Sequence, residues 1–289
     1  MKKHYLFIIL AAVLWGTMGI FVNGLSEFGL STVQISLLRS GASLVFIGFF
    51  ILKQNRKLFC FRLWDIWMFF GTGIVSYFLF NNCYFIAIRQ VGVAVASVLL
   101  YTAPVFVAIM SCILFRERLI GRKLLCLALA VGGCGLVSGL ASGGLRGVSL
   151  TGVLIGLASG FTYGLYSIFS TFALRRYQPL TVTFYTFLFG FLAALFVTEP
   201  LATAAAVANP AGLLWVLGLG LVTGAAPYLL YTGGLSGVRA SHAAVIATAE
   251  PVVATLIGIF LYREHADLFT ILGIVMVLGA AILLNSDKP

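Results

Sequence analysis

Apolar runs of about twenty residues follow one another along almost the entire chain, with only short polar gaps between them. Few folds satisfy that pattern. A run of this length crosses the roughly 30 Å hydrocarbon layer of a bilayer as a helix. Backbone N–H and C=O groups find no water there, and a helix pairs them internally. A β-barrel is excluded, because its strands alternate apolar and polar residues over about ten positions and these runs are continuous. Ten spans are expected, near 5–25, 33–53, 64–87, 93–115, 121–140, 149–172, 180–200, 211–232, 242–262 and 268–285. The weakest separations lie around Arg89 and Val238, where the intervening turn is short and mildly polar. The start, Met-Lys-Lys-His and then apolar residues, resembles a signal peptide. It runs on to about Leu25 without a small-residue cleavage site and is expected to be the first span.

Charge orders these spans. Only 9% of the residues are charged, where a soluble domain carries roughly a quarter, so most of the exterior must face lipid. The net charge of +10 sits in short gaps between apolar runs, with no basic stretch long enough to track a phosphate backbone. Nucleic-acid binding is set aside. With the N-terminus inside, 14 of the 18 Lys and Arg fall on inner segments. Arg89, Arg146 and Arg263 fall outside, and Arg39 lies within a span. That positive-inside bias places both termini in the cytoplasm. The five cysteines are odd in number, mostly within apolar runs and never in CxxC spacing, so neither structural zinc nor a disulfide framework is expected.

Residues 84–118 align with 231–265 at an offset of 147, with nine identities in 35 positions. The shared placement of Pro104 and Pro251 within a span, and of Arg116-Glu117 and Arg263-Glu264 at its end, lifts the match above an apolar background. The first span can be laid on the sixth with one more residue of offset, pairing Trp15-Gly16 with Tyr163-Gly164. Five spans per repeat is odd, so the second copy enters the membrane from the opposite side. The expected fold class is all-α integral membrane, with ten transmembrane helices in two inverted five-helix repeats, 1–143 and 144–289. Such repeats build a central site and two alternating gates in secondary transporters. Gly156, Gly160 and Gly164, four residues apart, put small positions on one face of the sixth span, where helices can approach closely. Pro104 and Pro251, mid-span, are expected to remove a backbone hydrogen bond and kink each helix, as hinge or site-lining positions.

Arg39 and Glu250 are the charged residues well inside expected spans, where an ionisable group is costly enough to be a functional candidate by default. Arg39 suits a substrate carboxylate. Glu250 suits an amine or carries a proton. Trp15, Tyr77 and Tyr101 fall near mid-membrane, with Asn81 and Ser97 close by, and Tyr163 on their cytoplasmic side. These eight residues are the substrate-binding candidates, with Glu250 the proton-coupling one. His242 is expected at the interface rather than on a metal, and the Arg-Glu pairs are expected to mark helix ends through local pairing. No P-loop, HExxH or hydrolytic Ser/His set is present, so an enzyme and an ATP-driven pump are not expected, nor any cofactor or metal.

The repeated segment with its TAP and AEP triplets, the Arg-Glu helix ends and the Leu14-Trp15-Gly16 start resemble the EamA family of the drug/metabolite transporter superfamily. The resemblance covers essentially the whole chain. It implies two EamA modules of inverted topology that export or exchange small metabolites, among them amino acids, across the bacterial cytoplasmic membrane. Trp15-Gly16, Pro104-Val105, Arg116-Glu117, Pro251-Val252 and Arg263-Glu264 carry over as framework positions. The second module has Tyr163 where the first has tryptophan. The expectation is a monomeric exporter of a small amphiphilic substrate, amino acids leading, in contact with lipid and energised by the substrate gradient or by proton exchange. A membrane protein that binds a ligand without moving it is the alternative.

Overall fold

The computed structural model describes residues 2–117, 120–138, 149–263 and 267–285, and every regular element among them is helical. In order these are α1 Lys2–Ser26, α2 Thr32–Gln54, α3 Leu63–Leu100, α4 Ala103–Phe115, α5 Gly121–Val137, α6 Leu150–Ala173, α7 Pro179–Leu195, α8 Pro200–Ala206, α9 Pro210–Leu235, α10 Ala240–Leu261 and α11 Leu268–Asn285. Six of them (α1, α2, α3, α6, α9 and α10) are long and apolar enough to cross a membrane. There are seven if α7 and α8, bent by 104°, count as one. The protein is an all-α, multi-pass integral membrane protein. Its exterior is apolar: Phe196 is 90% and Phe260 80% exposed. Its hydroxyls point inward, and Ser43, Thr186 and Thr223 are fully buried. Each donates to the carbonyl one turn back, on Arg39, Val182 and Leu219, which satisfies the polar group without water.

Helix starts follow their capping residues. Ser31 and Gln34 form a reciprocal capping box at α2, Ser149 accepts from the Gly152 N–H at α6, and Asn209 accepts from Gly212 at α9 with Pro210 next in line. The seventh span, expected over 180–200, bends after Leu195 because Glu199 precedes a proline and takes an extended conformation. The fifth ends as a helix at Val137; residues 139–148, with Arg146, lie outside the described set, as do Arg118, Glu264 and Lys288.

The prolines act differently from expectation. The span expected over 93–115 is broken at Tyr101–Thr102, and Pro104 sits in the first turn of α4, where its missing N–H removes no intrahelical bond. The next span of this kind breaks at Thr248, and Pro251 again occupies the first turn of the piece that follows. Thr102 and Thr248 each return a hydroxyl to a carbonyl three residues back, on Leu99 and Val245, at 2.6 and 2.5 Å. The helix is therefore interrupted before the proline and restarts on it.

Backbone irregularities recur at nearly one spacing. π-helical turns at Gly71–Phe78 in α3 and Leu219–Ala225 in α9 begin 148 residues apart. Arg116 and Arg263, 147 apart, both take the left-handed conformation with φ 55°. Contacts recur reciprocally as well. The Ser43 hydroxyl donates to the Gly220 carbonyl at 2.8 Å. At the positions 147 later and 147 earlier, a Cβ on Gly190 would lie 3.3 Å from the Gly73 carbonyl. Likewise a Cβ on Gly16 would lie 2.9 Å from the carbonyl of Glu250, and one on Gly164 3.3 Å from that of Ala103, whose number is 147 below 250. Gly92, with φ 81° and ψ 163°, divides α3 between its Asn81 and Ser97 ends; a side chain there would be strained, which is why a glycine stands at this short turn.

One face of the bundle gathers the N-terminus, both ends flanking the Arg-rich gaps, and the starts of α7 and α10. His4 meets the Gly233 carbonyl, Thr181 meets Leu58, Asp65 meets Arg176, and Arg175 stacks over Phe115. The opposite face brings Phe21 against Trp215 and Asn23 to Tyr262.

Candidate functional site

The two interrupted helices border a narrow cavity whose free volume is about 20 Å³, close to the room one water needs. Of the sequence candidates, Trp15, Tyr101 and Tyr163 line it, as does Pro104. Tyr166, Ser167, Tyr228, Tyr231 and Thr248 line it too. The sequence held a signal for these that was not used. Tyr163, Tyr166, Ser167 and Ser170 are spaced three and four apart along one apolar helix, as are Tyr228, Tyr231 and Thr232, and such spacing puts hydroxyls on one helix face.

The aromatic wall is locked by its own contacts. Trp15 packs edge-on to Tyr228 with centroids 5.3 Å apart, and Tyr228 in turn meets Tyr77, Tyr166 and Phe187. Two of the phenols are paired: the Tyr166 hydroxyl is hydrogen-bonded to that of Thr232 at 2.7 Å and the Tyr231 hydroxyl to that of Ser167 at 2.8 Å. α6 can approach this closely because its glycine face has no side chains. A Cβ on Gly160 would lie 2.6 Å from the Leu99 carbonyl.

Glu250 stands in the first turn after the Thr248 break, half-buried, and its Oε2 accepts from the Tyr163 hydroxyl at 3.3 Å. Tyr163 thus reaches Glu250 through its hydroxyl while lining the cavity beside Trp15 and Tyr101. Tyr84, Tyr101, Cys134 and Arg39 are within electrostatic range of the carboxyl.

Arg39 is 3% exposed and does not line the cavity. Its Nε donates to the Tyr77 hydroxyl at 3.0 Å, its guanidinium lies 5.0 Å from that ring, and Nη1 points at the Met18 sulfur. Among the described residues Arg39 and Glu250 form no ion pair. Tyr77 and Asn81 sit behind the wall, Asn81 donating to the Tyr77 carbonyl at 2.6 Å, and Ser97 is taken by Tyr84 at 2.9 Å. Pro251 is buried but is not a wall residue.

Two polar clasps tie separate parts of the chain at the face that carries the N-terminus. The Glu117 carboxylate binds Lys123 Nζ at 2.8 Å and accepts from the Ser241 hydroxyl; both charges are almost fully buried. The expected local pairing of Glu117 with Arg116 is replaced by this longer reach, and Arg116 itself takes the left-handed backbone conformation. Asp65 accepts from Arg176 and from the Tyr177 hydroxyl, both at 2.6 Å. His242, expected at the interface, is 7% exposed with Nδ1 3.4 Å from the Tyr5 hydroxyl. No group of three His, Cys, Asp or Glu suited to a metal occurs among the described residues.

Residues 2–139 and 150–286 each match the EamA-like transporter family. A protein of Archaeoglobus fulgidus described as an uncharacterized transporter is 31% identical over 281 residues, covering 96% of this chain and 94% of its own. The uncharacterized transporter YwfM of Bacillus subtilis is 27% identical, covering 97% and 93%. A solved crystal structure superposes with a TM-score of 0.82 over 98% of this chain and 96% of its own, at 19% identity, a likeness of fold.

Proposed function

Because the chain belongs to the EamA-like transporter family, we propose that it is a monomeric secondary carrier that exports a small amphiphilic metabolite across the bacterial cytoplasmic membrane. Ten spans build it as two five-helix repeats, 1–143 and 144–289, inserted with opposite orientation, and both termini are cytoplasmic. Support for the repeats comes from the reciprocal contacts 147 residues apart, which are what a pseudo-twofold axis produces. In this scheme each of the fourth and ninth spans is one interrupted helix. Support for the orientation comes from the 14 inner basic residues.

The observation that carries the transport reading is the cavity itself. Its wall draws Trp15, Tyr101 and Pro104 from one repeat and Tyr163, Tyr228 and Thr248 from the other, at the two helix breaks. A site shared between mirrored halves is reached from either side as the halves rock. Amino acids are the first class to test. Glu250 is proposed to carry the coupling proton. The titratable and charged groups facing it are Arg39, Tyr84, Tyr101, Cys134, Tyr163 and Tyr228.

Counterflow in purified proteoliposomes, with a panel of amino acids, nucleosides and polyamines, tests the function. A carrier accelerates exchange of trapped substrate; a protein that only binds does not, and absence of exchange across the panel would sink the proposal. Replacing Glu250 by Gln is expected to remove any dependence of transport on a pH gradient. Unchanged pH dependence in that variant would remove the proton role.

A further inference from the structure

We infer that the cavity receives a positively charged nitrogen with no carboxylate beside it, so that its substrates are organic amines or ammonium compounds rather than amino acids. The inference rests on the carrier reading and narrows it to a substrate class. Three observations meet here. The wall is aromatic, with Trp15, Tyr101, Tyr163, Tyr166, Tyr228 and Tyr231 around one narrow space, and ring faces attract cations through their quadrupoles. A carboxylate is joined to that wall through Tyr163, and the hydroxyl of Tyr163 is its one side-chain hydrogen bond among the described residues. An ionised carboxylate offers about four lone-pair sites, so acceptor capacity remains for a bound cation.

The third observation removes the zwitterion. Among the described residues no Lys, Arg or His lines the cavity. Arg39, the one guanidinium in the same region of the bundle, is 3% exposed and engaged by Tyr77 and Met18 on the far side of the wall. An amino-acid carboxylate entering this space would meet phenol and indole rings and the like charge of Glu250, without a cationic partner. Burying it there costs far more than the bare ammonium, which gains both the acid and the rings. Of the wall's other hydroxyls, Ser167 and Tyr231 are paired to each other, Tyr166 to Thr232, and Ser76 and Thr248 to backbone carbonyls.

The test uses two permanently charged probes, so that passive leak of a free amine does not intrude: phenethyltrimethylammonium and N,N,N-trimethylphenylalanine, which differ only by the carboxylate. Wild-type protein in proteoliposomes is expected to exchange the first at least about tenfold faster, a difference of roughly 1.4 kcal/mol. Glu250→Gln is expected to lose most of that exchange, while Arg39, which does not touch the substrate, sets only the fold around it. Equal rates, or faster exchange of the carboxylated probe, overturn the inference and leave the carrier intact. Exchange of neither probe also overturns it, and the carrier reading then falls only if the amino acids, nucleosides and polyamines of the panel fail as well in the same vesicles. The wild-type comparison decides the matter even where the variant does not fold.

Discussion

Lys123 and Glu117 show what a charge does once a bundle has taken it out of water. Lys123 is 2% exposed, and its partner little more, so each depends on the other for compensation. Lys123→Met alone leaves a buried carboxylate with only a serine hydroxyl and is expected to cost about 3–5 kcal/mol. The double variant with Glu117→Gln should recover most of that loss. Thermal unfolding in detergent reads the cycle, and additive losses would deny the coupling. Arg39 depends on shape as well as charge. Its Nε donates to Tyr77 while its plane lies over the same ring, and an ammonium cannot do both. Arg39→Lys is expected to lower stability by about 1.5–3 kcal/mol, with substrate preference unchanged in whatever protein survives.

At the scale of the helix, close approach decides more than polarity does. In hydrocarbon, helices gain nothing by hiding apolar side chains from water, so they associate through backbone proximity that small residues allow. Gly160 illustrates it: an added Cβ would meet the Leu99 carbonyl, which cannot swing aside. Gly160→Ala is expected to cost about 1–3 kcal/mol. Gly19→Ala, where nothing lies within 4 Å, should stay within about 0.5 kcal/mol. Equal effects of the two would remove the packing argument. The prolines belong to this scale too. Because Pro104 and Pro251 begin a helical piece, alanine at either position can keep the preceding break through Thr102 or Thr248. Removing those hydroxyls tests the break more directly than removing the prolines does.

For the molecule as a whole, the two clasps matter because both sit at one face and both join the two family-matching segments: Glu117 with Ser241, and Asp65 with Arg176 and Tyr177. A carrier that opens to that face must separate them. Asp65→Asn together with Ser241→Ala removes hydrogen bonds worth about 1 kcal/mol or more each, which shifts a two-state equilibrium several-fold. In a cysteine-free background carrying Thr248→Cys, the double variant is expected to raise the rate at which a polar thiol reagent added from the side of the clasps reaches the cavity. An unchanged rate would show that the clasps hold the fold and do not set the access equilibrium.

Much of this was legible from one chain. The membrane class followed from the length of the apolar runs, because a backbone in lipid has no alternative to a helix. Glu250 and the aromatic residues Trp15, Tyr101 and Tyr163 stood out because polar groups at that depth are costly. The 147-residue repeat was legible because identical backbone demands, a proline after a break and a left-handed helix end, call for the same residues twice. Tertiary structure alone decided how each charged group stands toward the cavity, whose wall includes neither Arg39 nor Glu250. Arg39 and Glu250 read alike in sequence, but one is withdrawn behind Tyr77 and the other is tied to the wall, because helix rotation is set by packing with neighbours far along the chain. Glu117 likewise chose Lys123 and Ser241 over Arg116, a choice fixed only when the ends of α4, α5 and α10 came together in space.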